Sequence, residues 1–117
     1  MKQLINKVQL IGNLVCNPSC RVLESGKQMA RFSMATSEVL TRPDGSTITE
    51  TQWHNLVAYD APAMQAERCL AKGTRVAVIG RLISRKSSSD AGPPRWTSEV
   101  VINELLVLSS RKSMVFP

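Results

Sequence analysis

Trp53 and Tyr59 belong to a run, Ile48 to Tyr59, whose Thr49, Thr51, Trp53, Val57 and Tyr59 favour a β-strand. Side chains alternate between the two faces of a strand, so Trp53, Asn55, Val57 and Tyr59 share one face and His54, Leu56 and Ala58 the other. With Leu56 in a core, both rings point outward. The run that starts at Thr74 repeats the pattern with cations: Arg75, Ile79 and Arg81 on one parity, Val76, Val78 and Leu82 on the other. Arg85, Lys86 and Arg95 bracket a stretch from Arg85 to Pro94 that reads as a flexible loop suited to phosphate contacts. Aromatic faces for unpaired bases beside cations for phosphates are what an unpaired nucleic-acid strand requires, each stacked base contributing about 1–3 kcal/mol. Taken singly, the two rings read as core aromatics and Arg81, Arg85 and Lys86 as a solvated face. Their coincidence on one face favours binding.

The same sequence offers little to catalysis. His54 is the single histidine, and there is no G-x-S-x-G elbow, Walker-type glycine loop or His-x-x-x-His pair. The acidic residues, Glu24, Glu38, Asp44, Glu50, Asp60, Glu67, Asp90, Glu99 and Glu104, are scattered without a close pair suited to two-metal chemistry. The expectation is a protein that is not an enzyme and carries no cofactor. Cys16, Cys20 and Cys69 are an odd number at no paired spacing, and Cys-x3-Cys lacks a second ligand pair, so they read as reduced thiols in a chain without a metal site.

Composition agrees with a small binding module. The 117 residues are about one domain's worth, and 43% hydrophobic with 21% charged residues is the balance of a folded chain. Lysine and arginine number 15 against 9 acidic residues, a net charge of +6 that attracts polyanions. No run approaches the roughly 18 apolar residues of a membrane span, and no signal-peptide pattern opens the chain, so a cytoplasmic, nucleoid-associated protein without membrane partners is expected.

The elements that must hold these residues are mostly strands. Leu4 to Val15 alternates, with Leu4, Val8, Leu10 and Leu14 on one parity, and Gly12 marks a bend. After the turn at Asn17-Pro18-Ser19, Cys20 to Glu24 and Met29 to Val39 form a hairpin about Ser25-Gly26-Lys27, and Arg42-Pro43-Asp44-Gly45 leads into the Trp53 strand. Asp60 then reads as the N-cap of a helix, with Pro62 in its first turn and Ala63, Ala66 and Leu70 on one side, closed by Lys72-Gly73. Thr74 to Ser84 and Arg95 to Ser109 complete the set. Five main strands with one helix between the third and fourth is the order of an all-β OB-fold, a Greek-key barrel.

Asn6-Lys7-Val8, Gly12-Asn13, Pro18, Arg21, Ala35-Thr36-Ser37, Glu50-Thr51-x-Trp53-His54, Ala66-Glu67, Leu70-x-Lys72-Gly73, Val76, Gly80-Arg81-Leu82 and Trp96-Thr97-x-Glu99-Val100 together resemble the bacterial single-stranded DNA-binding protein family. The resemblance runs in order over roughly residues 4–109. It implies an OB-fold homotetramer that binds single-stranded DNA without sequence preference in replication, recombination and repair. Carried over position by position, it implies base stacking on Trp53 and Tyr59, basic path residues at Lys7, Arg21, Lys72, Arg85 and Lys86, and an interface role for Asn6, Val8 and His54. Arg81 joins the binding set from its strand parity, and Trp96 as an aromatic of the last strand.

The chain also departs from the family pattern. Leu40 and Ser87 stand where familiar members carry further stacking tryptophans, with Trp96 as a partial replacement. The domain is taken as residues 1–110, followed by a short basic extension at 111–117 where the family has a long tail with an acidic tip, so tail-mediated recruitment of replication and repair proteins is not expected. Two other readings follow from these departures: a dimeric OB-fold adaptor of the primosomal replication-restart type, and a structural interaction domain that has lost DNA binding.

Overall fold

The computed structural model describes residues 5–87 and 92–109. Leu4, the middle of the stretch read as a loop and the basic extension at 111–117 lie outside them. The elements run β1 (Val8–Leu14), β2 (Ser19–Val22), β3 (Gln28–Thr41), β4 (Thr47–Tyr59), α1 (Ala61–Cys69), β5 (Arg75–Ser87) and β6 (Arg95–Ser109). They pair in the order β1-β5-β6-β4-β3-β2, and β1 also pairs with β3, which closes the sheet into a barrel. The long strands β1, β3, β4, β5 and β6 are the five expected, with the helix between the third and fourth. The short β2 flanks β3, with Arg21 opposite Met29. Closure depends on one short parallel pairing, Leu56 with Val100 and Val57 with Val101.

Alternation builds the core. Leu14, Ala30, Phe32, Met34, Leu56, Ala58, Val76, Val78, Val100, Ile102 and Leu105 point inward, and Ala63, Ala66 and Leu70 of the helical segment cover one end. Burying these apolar side chains is the main favourable term in the fold, at about 25 cal/mol per Å² removed from water. Two glycines set the curvature. A Cβ on Gly12 would lie 2.2 Å from the carbonyl oxygen of Ala35, and one on Gly80 would lie 2.1 Å from that of Val101. Gly12 pairs with Val76, and the next residue, Asn13, reaches both Arg75 and Ala35, so β1 passes from one neighbour to the other at this point. Opposite Gly80, β6 carries the extra residue Asn103, since Ile79 pairs with Glu104 but Gly80 with Ile102.

Three local expectations are corrected. Asp60 does not cap α1 with its side chain; it has φ of 55°, and its carbonyl accepts from Met64 N–H at 2.9 Å. The helix ends at Cys69, with Leu70 already extended, so Lys72-Gly73 is not its terminus. Gly73, at φ 93°, sits in the turn from Ala71 to Thr74, and its N–H bonds the Leu14 carbonyl at 2.9 Å. Arg85, Lys86 and Arg95 are strand residues rather than loop residues, because β5 and β6 stay paired through Arg85 with Thr97, Lys86 with Trp96 and Ser87 with Arg95. Ladder hydrogen bonds between the two arms override the local loop composition.

Candidate nucleic-acid interface

Cross-strand partners share a sheet face, so the register decides which predicted residues meet. Trp53 pairs with Ala35, Asn55 with Ser33, Val57 with Arg31 and Tyr59 with Met29. Val57 also neighbours Val101, which faces Arg81. One outer face therefore carries Trp53, Tyr59, Arg21, Arg31, Arg81 and Arg85. Trp53 is 67% exposed, a large apolar surface left in water beside cations. Val57, expected to point outward with the rings, is wholly buried instead. It keeps its parity, but Arg31 stands directly beside it and Val101 closes its other side.

Charge on this face is organised around Glu99. Its side chain is only 6% exposed, and one carboxylate oxygen meets each of two arginines: Arg31 Nη1 donates to Oε2 at 2.5 Å, and Arg85 Nε lies 2.7 Å from Oε1. The second approach is an ion pair rather than a directed hydrogen bond. Arg85 Nη2 continues to the Tyr59 hydroxyl at 3.3 Å, and Lys27 Nζ stands 5.6 Å from the centre of the Tyr59 ring. Tyr59 is half-buried, with a cation over its ring, whereas Trp53 is open.

The remaining predicted residues lie elsewhere. Along β6, Trp96, Ser98, Val100 and Ile102 alternate with Thr97, Glu99 and Val101, so Trp96 shares the pleat of the core residues and not that of Trp53. It is 68% exposed because the β5–β6 arm continues past the barrel, and Lys86 is its cross-strand partner. Leu40 pairs with Ile48 and likewise falls on the pleat opposite Trp53. Lys72 is exposed in the turn after α1, where its backbone N–H donates to Asn17 Oδ1 at 2.8 Å. Lys7 is exposed just before β1.

Of the residues assigned to an interface, Asn6 bonds within the chain: Nδ2 donates to the Leu82 carbonyl at 2.9 Å, and Leu82 N–H donates to Oδ1 at 2.8 Å. This extends the β1–β5 pairing by one side chain. Val8 is half-buried opposite Gly80. His54 is half-buried with Nε2 2.9 Å from Thr36 Oγ1, a structural hydrogen bond.

Arg31, Glu99 and Lys27 were missed from sequence. Arg31 had one usable signal, its place on the polar parity of Ala30-Arg31-Phe32-Ser33, but its partner is 68 residues away. Near β2, burial and the Glu67 carboxylate push the Cys20 thiol above its ordinary pKa. Among the described residues, no group of three or more His, Cys, Asp or Glu could hold a metal ion, and no helix is long and apolar enough to cross a membrane.

Comparison with known proteins gives this face its context. The single-stranded DNA-binding proteins of two Neisseria meningitidis strains, one of serogroup A and one of serogroup B, are each 37% identical to the chain over 107 residues, 92% of its length. The chain spans 62% of the length of those relatives. A solved complex of Plasmodium falciparum SSB with ssDNA superimposes at a TM-score of 0.83 and 32% identity, covering 90% of this chain and 96% of that one. A deletion mutant of the single-stranded DNA binding protein from Thermus aquaticus shares the fold at a TM-score of 0.80 and 24% identity, covering 92% of this chain and 52% of that one. The profile of the single-strand binding protein family matches residues 5–108, which is all but the ends of the barrel's chain, and the protein belongs to that family.

Proposed function

We propose that the chain binds single-stranded DNA without sequence preference, through phosphate electrostatics and base stacking, and protects it during replication, recombination and repair. The observation that carries this reading is Trp53, two-thirds exposed on the same face as Arg21, Arg31, Arg81 and Arg85. A solvated indole costs free energy unless something covers it, and an unpaired base covers it while its phosphate meets the cations. The role is binding rather than catalysis, in the cytoplasm on nucleoid DNA.

The working form is a homo-oligomer, a tetramer in preference to a dimer. On β1, β5 and β6, Ile11, Ala77 and Leu106 form one cross-strand row, with Ile11 46% and Leu106 62% exposed. Leu108, 44% exposed, lies close by on β6. This apolar row, bordered on the same pleat by Arg75, whose Nη1 donates to Asn13 Oδ1 at 3.4 Å, suits a second copy of the chain.

A tryptophan-fluorescence titration with poly-dT at low and moderate salt, on protein whose mass is fixed by light scattering, tests both parts. Strong quenching that weakens with salt, from a tetramer, is expected. The same quenching from a dimer favours the replication-restart adaptor, and absence of binding at low salt overturns the reading.

A further inference from the structure

Tyr59 lies six residue steps along β4 from Trp53, roughly 20 Å at strand rise. Two bases stacked on these rings cannot be sandwiched against each other, so the sugar-phosphate chain between them crosses the middle of the face. Val57 there is wholly buried, and Ser33 and Asn55 bond each other at 3.2 Å. The charges in the middle are those of Arg31, Arg85 and Glu99, with the exposed Arg81 in the same cross-strand row as Arg31.

The layering of these three groups is informative. Glu99, at 6% side-chain exposure, lies beneath, and Arg31 and Arg85, at 40% and 49%, lie above it. Two guanidiniums side by side repel; a carboxylate with one oxygen on each holds them together, and the hydrogen bond to the Tyr59 hydroxyl orients that of Arg85. Arg31 Nε and Nη2 and Arg85 Nη1 have no protein partner among the described residues. Two arginines on one glutamate leave the cluster with a charge of +1, and a phosphodiester, at −1, brings it to zero. A planar guanidinium fork also matches the oxygens of a phosphate better than an ammonium does.

We propose that Arg31 and Arg85 form a two-armed phosphate clamp, with Glu99 as its positioning residue, that grips the DNA backbone between the nucleotides held by Trp53 and Tyr59. This rests on the single-stranded DNA reading above and adds two residues, Arg31 and Glu99, to its site.

The test is a fluorescence-anisotropy titration with labelled oligo-dT over a range of salt, on the full chain and four variants. Arg31→Ala is expected to bind about tenfold more weakly at low salt and to lower the slope of log K against log salt by about 0.7. Arg68→Ala removes the same charge from the exposed last turn of α1 and should change neither. Arg31→Lys should keep the slope and lose affinity, because it keeps the charge but not the fork. Glu99→Gln should weaken binding although it makes the protein more positive. Arg31→Ala indistinguishable from Arg68→Ala, or Glu99→Gln binding more tightly than wild type, overturns the clamp. If thermal melting shows Arg31→Ala unfolded, Arg31→Lys decides: lower affinity at unchanged slope supports the clamp, and unchanged affinity overturns it. A wild-type protein that does not bind oligo-dT overturns the underlying reading instead, so the two failures are distinct.

Discussion

Arg85 Nη2 donates to the hydroxyl of Tyr59 at 3.3 Å while its Nε stays 2.7 Å from Glu99. One side chain of β5 thereby ties an aromatic of β4 to a buried carboxylate of β6. Elements that pair directly over only two residues, β4 and β6, are joined a second time by this arginine. A cation held at two points is pre-organised for an anion, and the entropy of fixing it is lost on folding rather than on binding.

Trp53→Ala should weaken binding to oligo-dT by about 1–3 kcal/mol with an unchanged salt slope, because stacking carries no counterion release. Its melting temperature should stay close to wild type, since the ring is mostly in water. Anisotropy and thermal melting on the same preparation read both. A variant that unfolds, yet binds normally when refolded, would place the ring in the core.

Lys86→Ala and Arg85→Ala should separate charge from architecture. Each should lower the salt slope by about 0.7, one phosphate contact on a single strand. Lys86 is exposed beside Trp96, so its loss should change stability by no more than about 0.5 kcal/mol. Arg85 leaves Glu99 half-paired, and about 1–2 kcal/mol should be lost in urea melts, less than for a fully buried pair because Arg85 is half exposed. Equal stability of the two variants would contradict the role given to Glu99.

Gly80→Ala should destabilise the barrel by about 1–3 kcal/mol or more. The new methyl meets backbone, the Val101 carbonyl, which cannot swing aside without breaking the β5–β6 ladder. Gly45→Ala is a different case: there is open space around it, and the cost comes only from its φ of 91°. Denaturation of the two variants side by side should rank Gly80→Ala as the more damaging.

Cys20 should alkylate more slowly at pH 8 than an unperturbed thiol. Burial and the Glu67 carboxylate disfavour its thiolate, so at any pH below the raised pKa less of the nucleophile is present. Glu67→Gln removes the second cause, and iodoacetamide labelling of the Cys20 peptide, followed by mass spectrometry, should then speed up. No change in rate would leave burial as the sole cause.

Much of the barrel is legible in the chain itself. Alternation in Val8 to Leu14, Ala30 to Met34 and Val76 to Val78 names the inward residues, because a strand's side chains have period two whatever the strand pairs with. The outward parity of Trp53 and Tyr59 follows from the same local rule. Local rules also mislead where the chain's neighbours decide. Arg85 to Pro94 has loop composition, yet cross-strand hydrogen bonds carry β5 to Ser87 and begin β6 at Arg95. Asp60 has the residue type of an N-cap, but its backbone N–H is taken by the Gln28 carbonyl and its positive φ directs the entry to α1.

What the sequence by itself determined is the set of strands, the inward faces and the excess of positive charge, since these depend on spacing and composition. Tertiary structure alone decided who stands beside whom. Trp96 and Trp53 look alike as exposed aromatics, but the even count from Trp96 to Val100 and the pairing of Leu56 with Val100 set them on opposite pleats. Arg31 and Arg85 look like solvated charges until closure of the barrel brings Glu99 between them. Register between strands distant in the chain is fixed by packing the core, and no local pattern encodes it.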